Sequence, residues 1–229
     1  MFDHASPWGE IIDAAPTQAL LNAQFRGRAA HAGLHPEQGV NAIVAAATAL
    51  VAMPHGRLDA QTTTNVGTIH GGTASNVVAD RCELEAEVRS IDAARADAVL
   101  TELVDAFQEA ADSAGCDLDL RVRTLFSGYR VSHGERSVKL AQRALRSLGH
   151  QPRLLASGGG ADANIFRAAG LPCTNIANGT ERAHERTERV SDVALETGLD
   201  VLLALLSEAA LTNPAAGSSI RGPVSIPGT

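Results

Sequence analysis

Apolar positions recur at two spacings along this chain, and the switch between them marks its elements. Residues 17 to 28 (TQALLNAQFRGR) open as a strand. After Gly33 the chain turns through Leu34-His35-Pro36-Glu37 into an apolar helix over 39 to 53, which Pro54 ends. A strand over 62 to 70, a Gly71-Gly72 loop, a strand over 77 to 90, a helix over 92 to 114 and a strand over 117 to 126 follow. In Cys82-Glu83-Leu84-Glu85-Ala86-Glu87-Val88 every second residue is charged, as one solvated strand face requires, so these glutamates read as surface rather than as a carboxylate dyad. Ala96, Val99, Leu100, Leu103, Val104, Phe107 and Ala110 keep the rhythm of a packed helical stripe. The order β-α-β-β-α-β predicts a ferredoxin-like sandwich, two helices covering one face of a four-stranded antiparallel sheet, with the other face or an edge free to pair.

Beyond Ser127-Gly128-Tyr129 the pattern becomes α/β. A helix over 136 to 148, a strand over 152 to 156, the loop Ser157-Gly158-Gly159-Gly160, a helix over 162 to 169 and a strand over 172 to 176 lead to a polar loop over 178 to 189 and an apolar helix over 191 to 211. Ahead of Pro16, residues 1 to 12 read as the end of one strand and a turn. The Pro-, Gly- and Ser-rich stretch over 213 to 229 is expected to be disordered.

With 229 residues, 45% of them hydrophobic but only 3% aromatic, the core must be built from Ala, Leu and Val. The formal charge of -7 speaks against a nucleic-acid binder, which needs a basic stripe. The apolar runs over 40 to 53 and 193 to 206 are too short or interrupted to span a membrane, and no charged-then-apolar leader opens the chain, so it is read as cytoplasmic. Three cysteines, Cys82, Cys116 and Cys173, stand far apart without CxxC spacing and are expected to be buried thiols.

Candidate chemistry sits in the loops. His31, among small residues in Gly27-Arg28-Ala29-Ala30-His31-Ala32-Gly33 at a strand end, is placed to reach into a cleft, although a surface histidine beside a turn is the simpler reading. The loop over 157 to 160 lacks the lysine of a phosphate cradle and the GxGxxG spacing of a dinucleotide site. It reads as backbone cleared of side chains so that a ligand can come close, with Asp162 capping the next helix. His184 in its polar loop and Asp3 at a strand end are each of a type that binds metal, yet one side chain does not make a metal site, and no HExxH or HxD pair occurs.

Five segments taken together, FDHASPWGEIIDAAPT, FRGRAAHAG with PEQGVNAI, TNVGTIHGGTASNVVADRCELEAEVRS, GGGADANIF and NGTERAHERTERV, resemble in family order the di-zinc peptidases and amidohydrolases that include tripeptidase T, carboxypeptidase G and the aminoacylases. The likeness is closest to tripeptidase T-like members. It implies an α/β zinc-peptidase domain, of which only the C-terminal portion is present, interrupted by the ferredoxin-like lid: residues 1 to 15 a catalytic-domain remnant, 16 to 127 the lid or dimerisation domain, 128 to 212 the end of the catalytic domain. By the same resemblance Asp3 and His184 each ligate one of two metals, zinc with cobalt or manganese as alternatives. His31 is similar to the lid histidine that steadies the oxyanion, in many dimeric members in the partner's site. Asn76 and Arg89 resemble lid residues that bind substrate, the arginine through its carboxylate, and Gly158, Gly159 and Gly160 resemble the floor of the pocket.

The family's HxD motif, bridging aspartate and Glu-Glu pair are absent from these residues, and Ala161 stands where the family usually has Ser or Thr. The resemblance therefore implies a homodimeric, metal-dependent hydrolase of small peptides or N-acyl amino acids, inactive as this chain alone, with residues 128 to 206 exposing apolar surface. The alternatives are a non-catalytic dimerisation or binding module and, on fold analogy alone, a ferredoxin-like small-molecule sensor.

Overall fold

A computed structural model describes residues 1–212; the stretch expected to be disordered lies outside the described residues. In chain order the elements are β1 (Phe2–His4), β2 (Glu10–Ala15), β3 (Thr17–Arg26), α1 (Ala42–Ala52), β4 (Gly56–Arg57), β5 (Thr62–Gly71), β6 (Arg81–Ser90), α2 (Ala93–Ala114), β7 (Asp117–Phe126), β8 (Tyr129–Arg130), α3 (Arg136–Ser147), β9 (Arg153–Ala156), α4 (Asp162–Ala168), β10 (Asn175–Ala177) and α5 (Asp192–Leu211). The described residues form two units: 14–130 with 157–169, and 1–13 and 131–156 with 170–212.

The first of these units holds the sandwich. Its sheet runs β4-β5-β6-β3-β7, every pairing antiparallel, which is the ferredoxin-like order with the two-residue β4 added at the β5 edge. Alternation decides the faces: Leu21, Ala23 and Phe25 of β3 and Cys82, Leu84, Ala86 and Val88 of β6 are buried with both helices. α1 presents Ala42, Ala45, Ala46 and Ala49, each fully buried, so a helix without bulk lies close to the sheet. α2 contributes Val99, Leu103 and Phe107, and Phe107 meets Phe25 edge to face at 6.2 Å between centroids. The caps are local: Asn41 Oδ1 accepts from Ile43 and Val44, Asp92 Oδ1 accepts from Ala94 and Arg95, and Gly115 closes α2 in the left-handed region at φ 69°.

Boundaries shift where backbone contacts intervene. β3 stops at Arg26 rather than residue 28, because the Gly27 backbone turns in to donate to the Asp80 carbonyl at 2.8 Å and packs so tightly on the Val40 carbonyl that a Cβ would stand 2.0 Å from it. β6 begins at Arg81 rather than 77, the residues before it pairing instead with the loop after β3. Cys82 and Cys116 are buried as expected, whereas Cys173 is half-exposed in the loop before β10.

In the other unit β10 pairs with β1 in parallel and with β2 antiparallel, while β9 also pairs with β2. Ile11, Ile176, Ala141, Leu145 and Val201 form its core. α5 buries only Val201 fully and leaves Val193, Leu195, Leu199, Leu203 and Leu206 more than half exposed, the apolar surface expected of this half. Among the described residues no helix is long and apolar enough to cross a membrane.

Phe107→Ala should cost about 3–5 kcal/mol in urea unfolding, whereas Arg123→Ala, exposed on the open face of β7 opposite Leu20, should stay within about 0.5 kcal/mol. Equal losses would contradict the assignment of faces.

Candidate functional site

The loop after β3 and the loop before β6 lie against each other as an extension of the sheet. Val78 N–H donates to the Ala30 carbonyl at 2.9 Å and Ala32 N–H to the Asn76 carbonyl at 3.0 Å, with His31 bridged to Val77. His31 and Asn76, both exposed, are thereby brought together. The Gly33 N–H donates to His31 Nδ1 at 3.1 Å. A neutral imidazole whose Nδ1 accepts carries its proton on Nε2, so the ring presents an N–H donor on the side away from its own loop.

Arg89 stands at the opposite end of β6. Arg81 and Arg89 are eight steps of strand apart, about 26 Å at the usual rise, and Asn76 precedes Arg81. One copy of the chain does not place Arg89 beside His31 and Asn76. Across the sheet at the Arg89 level, Thr63 of β5, Arg89, Gln18 of β3 and Phe126 of β7 follow one another in register. The glycine loop comes to the same end: a Cβ on Gly160 would fall 1.9 Å from the Phe126 ring, so that position admits only glycine. Gly158 has open space where its Cβ would be, and no packing contact accounts for a glycine there. Arg89 and the glycine loop thus share one end of the lid sheet.

Asn164 on α4, 1% exposed, holds this end together. Its Nδ2 donates to the Pro16 carbonyl at 3.2 Å and the Ser127 carbonyl at 2.9 Å, and its Oδ1 accepts from Ala161 N–H at 3.1 Å. The chain segments entering β3 and leaving β7 are tied through one amide to the end of the glycine loop. Asn164 also corrects the expectation for Asp162, which is the first helical residue and not the cap. An asparagine inside a helix reads from sequence as neutral, and only the two distant carbonyls reveal its role.

Asp3 and His184 both belong to the other unit. Asp3 lies on β1, where the Asn175 side chain pairs with its backbone on both sides, Oδ1 accepting from Asp3 N–H at 3.0 Å and Nδ2 donating to the Asp3 carbonyl at 3.1 Å. The loop after β10 is rooted beside the same strand, Asn178 N–H donating to the His4 carbonyl at 3.0 Å. His184 sits in that loop at φ 68°, a left-handed conformation that costs about 1–3 kcal/mol for a residue with a side chain. The Glu188 carboxylate, accepting from His184 N–H at 2.7 Å, holds it there. Next to Asp3, burial pushes His4 below the usual imidazole range, opposed by the Glu10 and Asp3 carboxylates. Among the described residues no group of three or more His, Cys, Asp or Glu is placed to hold a metal ion. A stable zinc site needs about four donors, so Asp3 and His184 do not by themselves fit a resident metal.

Residues 18–114 match the peptidase dimerisation domain. Over 202 residues the chain is 37% identical to an uncharacterized protein of Bacillus subtilis, YqjE, covering 88% of this chain and 54% of that one. Aminopeptidase PepT from Bacillus cereus superposes with a TM-score of 0.82 at 39% identity, over 91% of this chain and 56% of its own. A tripeptidase from Staphylococcus aureus superposes with a TM-score of 0.87 at 35% identity, over 92% and 56%. The chain spans about half the length of the relatives it matches.

Asn164→Ala leaves two carbonyls without their donor and should cost roughly 3 kcal/mol in thermal or urea unfolding. Asn164→Asp, which sets a carboxylate against those carbonyls, should be at least as damaging; a variant as stable as the parent would remove the clamp from the account.

Proposed function

This chain belongs to the peptidase family that includes peptidase T, and from that premise we propose that it supplies the lid, the dimer contact and part of the active site of a hydrolase of small peptides or N-acyl amino acids. The observation that carries this reading is the division of the lid residues between two ends of one sheet. His31, offering an Nε2–H donor, suits a developing oxyanion, with Asn76 beside it as a substrate contact. Arg89 suits a substrate carboxylate, and the open backbone at Gly158 and Gly159 leaves room for the chain attached to it. Since the two groups stand about 26 Å apart along the strand, one complete site takes its histidine from a second copy of the chain.

The surface for that second copy is on the lid. β4 pairs with β5 at Thr63 and Thr64, and among the described residues no strand pairs with the outer edge of residues 65–71. Next to it α1 exposes Ile43, Val44 and Val51, the last 87% exposed, around an apolar hollow with Ala47 and Thr48, and Ile43 packs over Gly71 of β5. Strand edge and helix stripe form one continuous patch, the shape of an isologous contact.

Peptidases of this family are generally metal-dependent. Asp3 and His184 are the residues we assign to metal, and the shortage of donors leads us to propose that the chain alone is inactive. The same shortage favours the second reading, a dimerisation module without chemistry of its own.

Light scattering should show a homodimer that the double variant Val44→Glu/Val51→Glu converts to a monomer; a parent chain that is monomeric would overturn the lid contact. Supplied with zinc, cobalt or manganese and a tripeptide, the pure chain should give no turnover, and measurable hydrolysis would refute the argument from donors.

A further inference from the structure

Arg89 does not stand alone on its strand. Glu87, two residues earlier and therefore on the same face, takes it side-on: Arg89 Nε–H donates to Glu87 Oε1 at 2.9 Å and Nη2–H to Oε2 at 3.0 Å. Glu87 is itself pinned, because Gln18 of β3 donates from Nε2 to the same Oε2 at 2.6 Å. Gln18 is 7% exposed, while Glu87 and Arg89 keep about a quarter of their side-chain surface, 24% and 29%. The chain Gln18 to Glu87 to Arg89 thus runs from a buried amide to a guanidinium at the surface, at the level where Phe126 meets the glycine loop.

A guanidinium has five N–H groups, and the fork to Glu87 uses two of them. The edge that remains, both hydrogens of Nη1 and the outer one of Nη2, faces away from Glu87 and matches a second carboxylate end-on. We infer that Glu87 and Gln18 are positioning residues for Arg89, fixing its guanidinium so that the remaining edge is presented to the free carboxylate of a short peptide or acyl amino acid. The inference rests on the reading of Arg89 as the carboxylate contact. Its consequence is specificity: a ligand whose terminal carboxylate is amidated loses the contact, and a guanidinium freed from Glu87 rotates and holds the carboxylate less well. A Glu87 that only neutralised Arg89 would need no buried amide behind it. Gln18 therefore separates orientation from charge, since replacing it changes no charge.

The test uses the full chain with ¹⁵N-labelled arginine, the Arg89 Nε–Hε signal being identified by its loss in Arg89→Lys. In the parent, this proton should exchange with water about tenfold more slowly than that of Arg121, which is 79% exposed. Gln18→Met, close to Gln in volume, should speed that exchange several-fold while backbone signals of β3 and β6 stay in place. Glu87→Gln, at a half-buried position, should do the same if Gln18→Met does not fold. Titrated with triglycine, the parent should show a shift of the Arg89 signal that triglycinamide does not produce, and Gln18→Met should weaken triglycine binding about fivefold. If triglycine leaves Arg89 unmoved in the parent, the carboxylate reading fails, and the exchange rates still decide the positioning. If triglycine binds but neither variant alters exchange or affinity, the positioning is wrong and the reading of Arg89 stands.

Discussion

The ten-residue antiparallel pairing of β3 with β6, extended on the other side by β7, is the constraint on which the lid depends. Side chains alternate along a strand, so this register sends Leu21, Ala23 and Phe25 with Cys82, Leu84, Ala86 and Val88 to the helices. The same register sends Gln18, Glu87 and Arg89 to the open face, side by side. A slip by one residue would put the arginine into the core and a valine onto the open face. Packing and the polar chain behind Arg89 are therefore set by one choice of partners, and that chain exists only in this register.

Strand length carries the argument from fold to function. A strand of ten residues holds its two ends far apart, and the lid has candidate chemistry at both: a histidine and an asparagine beyond one end, an arginine and the glycine loop at the other. In the proposed reading a second copy joined at the β5 edge offers the opposite end of its own sheet, so that dimerisation becomes part of the site. Asn164 adds a second dependence, since the segments at both ends of the lid are fixed to the start of α4 by a single buried amide.

Much of this was legible in the chain because local rules and tertiary packing agree. The alternation over 82 to 88 and the stripe from Ala96 to Ala110 name the buried faces, and Pro54 and Gly115 end their helices where the residue types say they should. What was hidden depended on contacts between distant segments. The backbone pairing of Ala30 and Ala32 with Val78 and Asn76 has no periodic signature, and it ended β3 early and shortened β6. The glutamates of β6 read as a solvated face, yet Glu87 is committed to Arg89 and Gln18, because a half-buried acid with two partners has the same alternation as a free one. Asp162 looked like a cap from its place after a glycine loop, while the capping contact comes from Asn164, two residues further on.

The central claim is that His31 of one copy serves a site whose Arg89 belongs to another, and distance measurement between spin labels tests it most directly. In a Cys173→Ser background, where the remaining cysteines Cys82 and Cys116 are buried, Leu34→Cys marks the histidine loop and Thr63→Cys marks the position beside Arg89. Chains carrying one label each, mixed, should give an interchain distance clearly shorter than the intrachain one, itself about 25 Å or more. An interchain distance longer than the intrachain one, or no interchain coupling at all, would contradict the shared site.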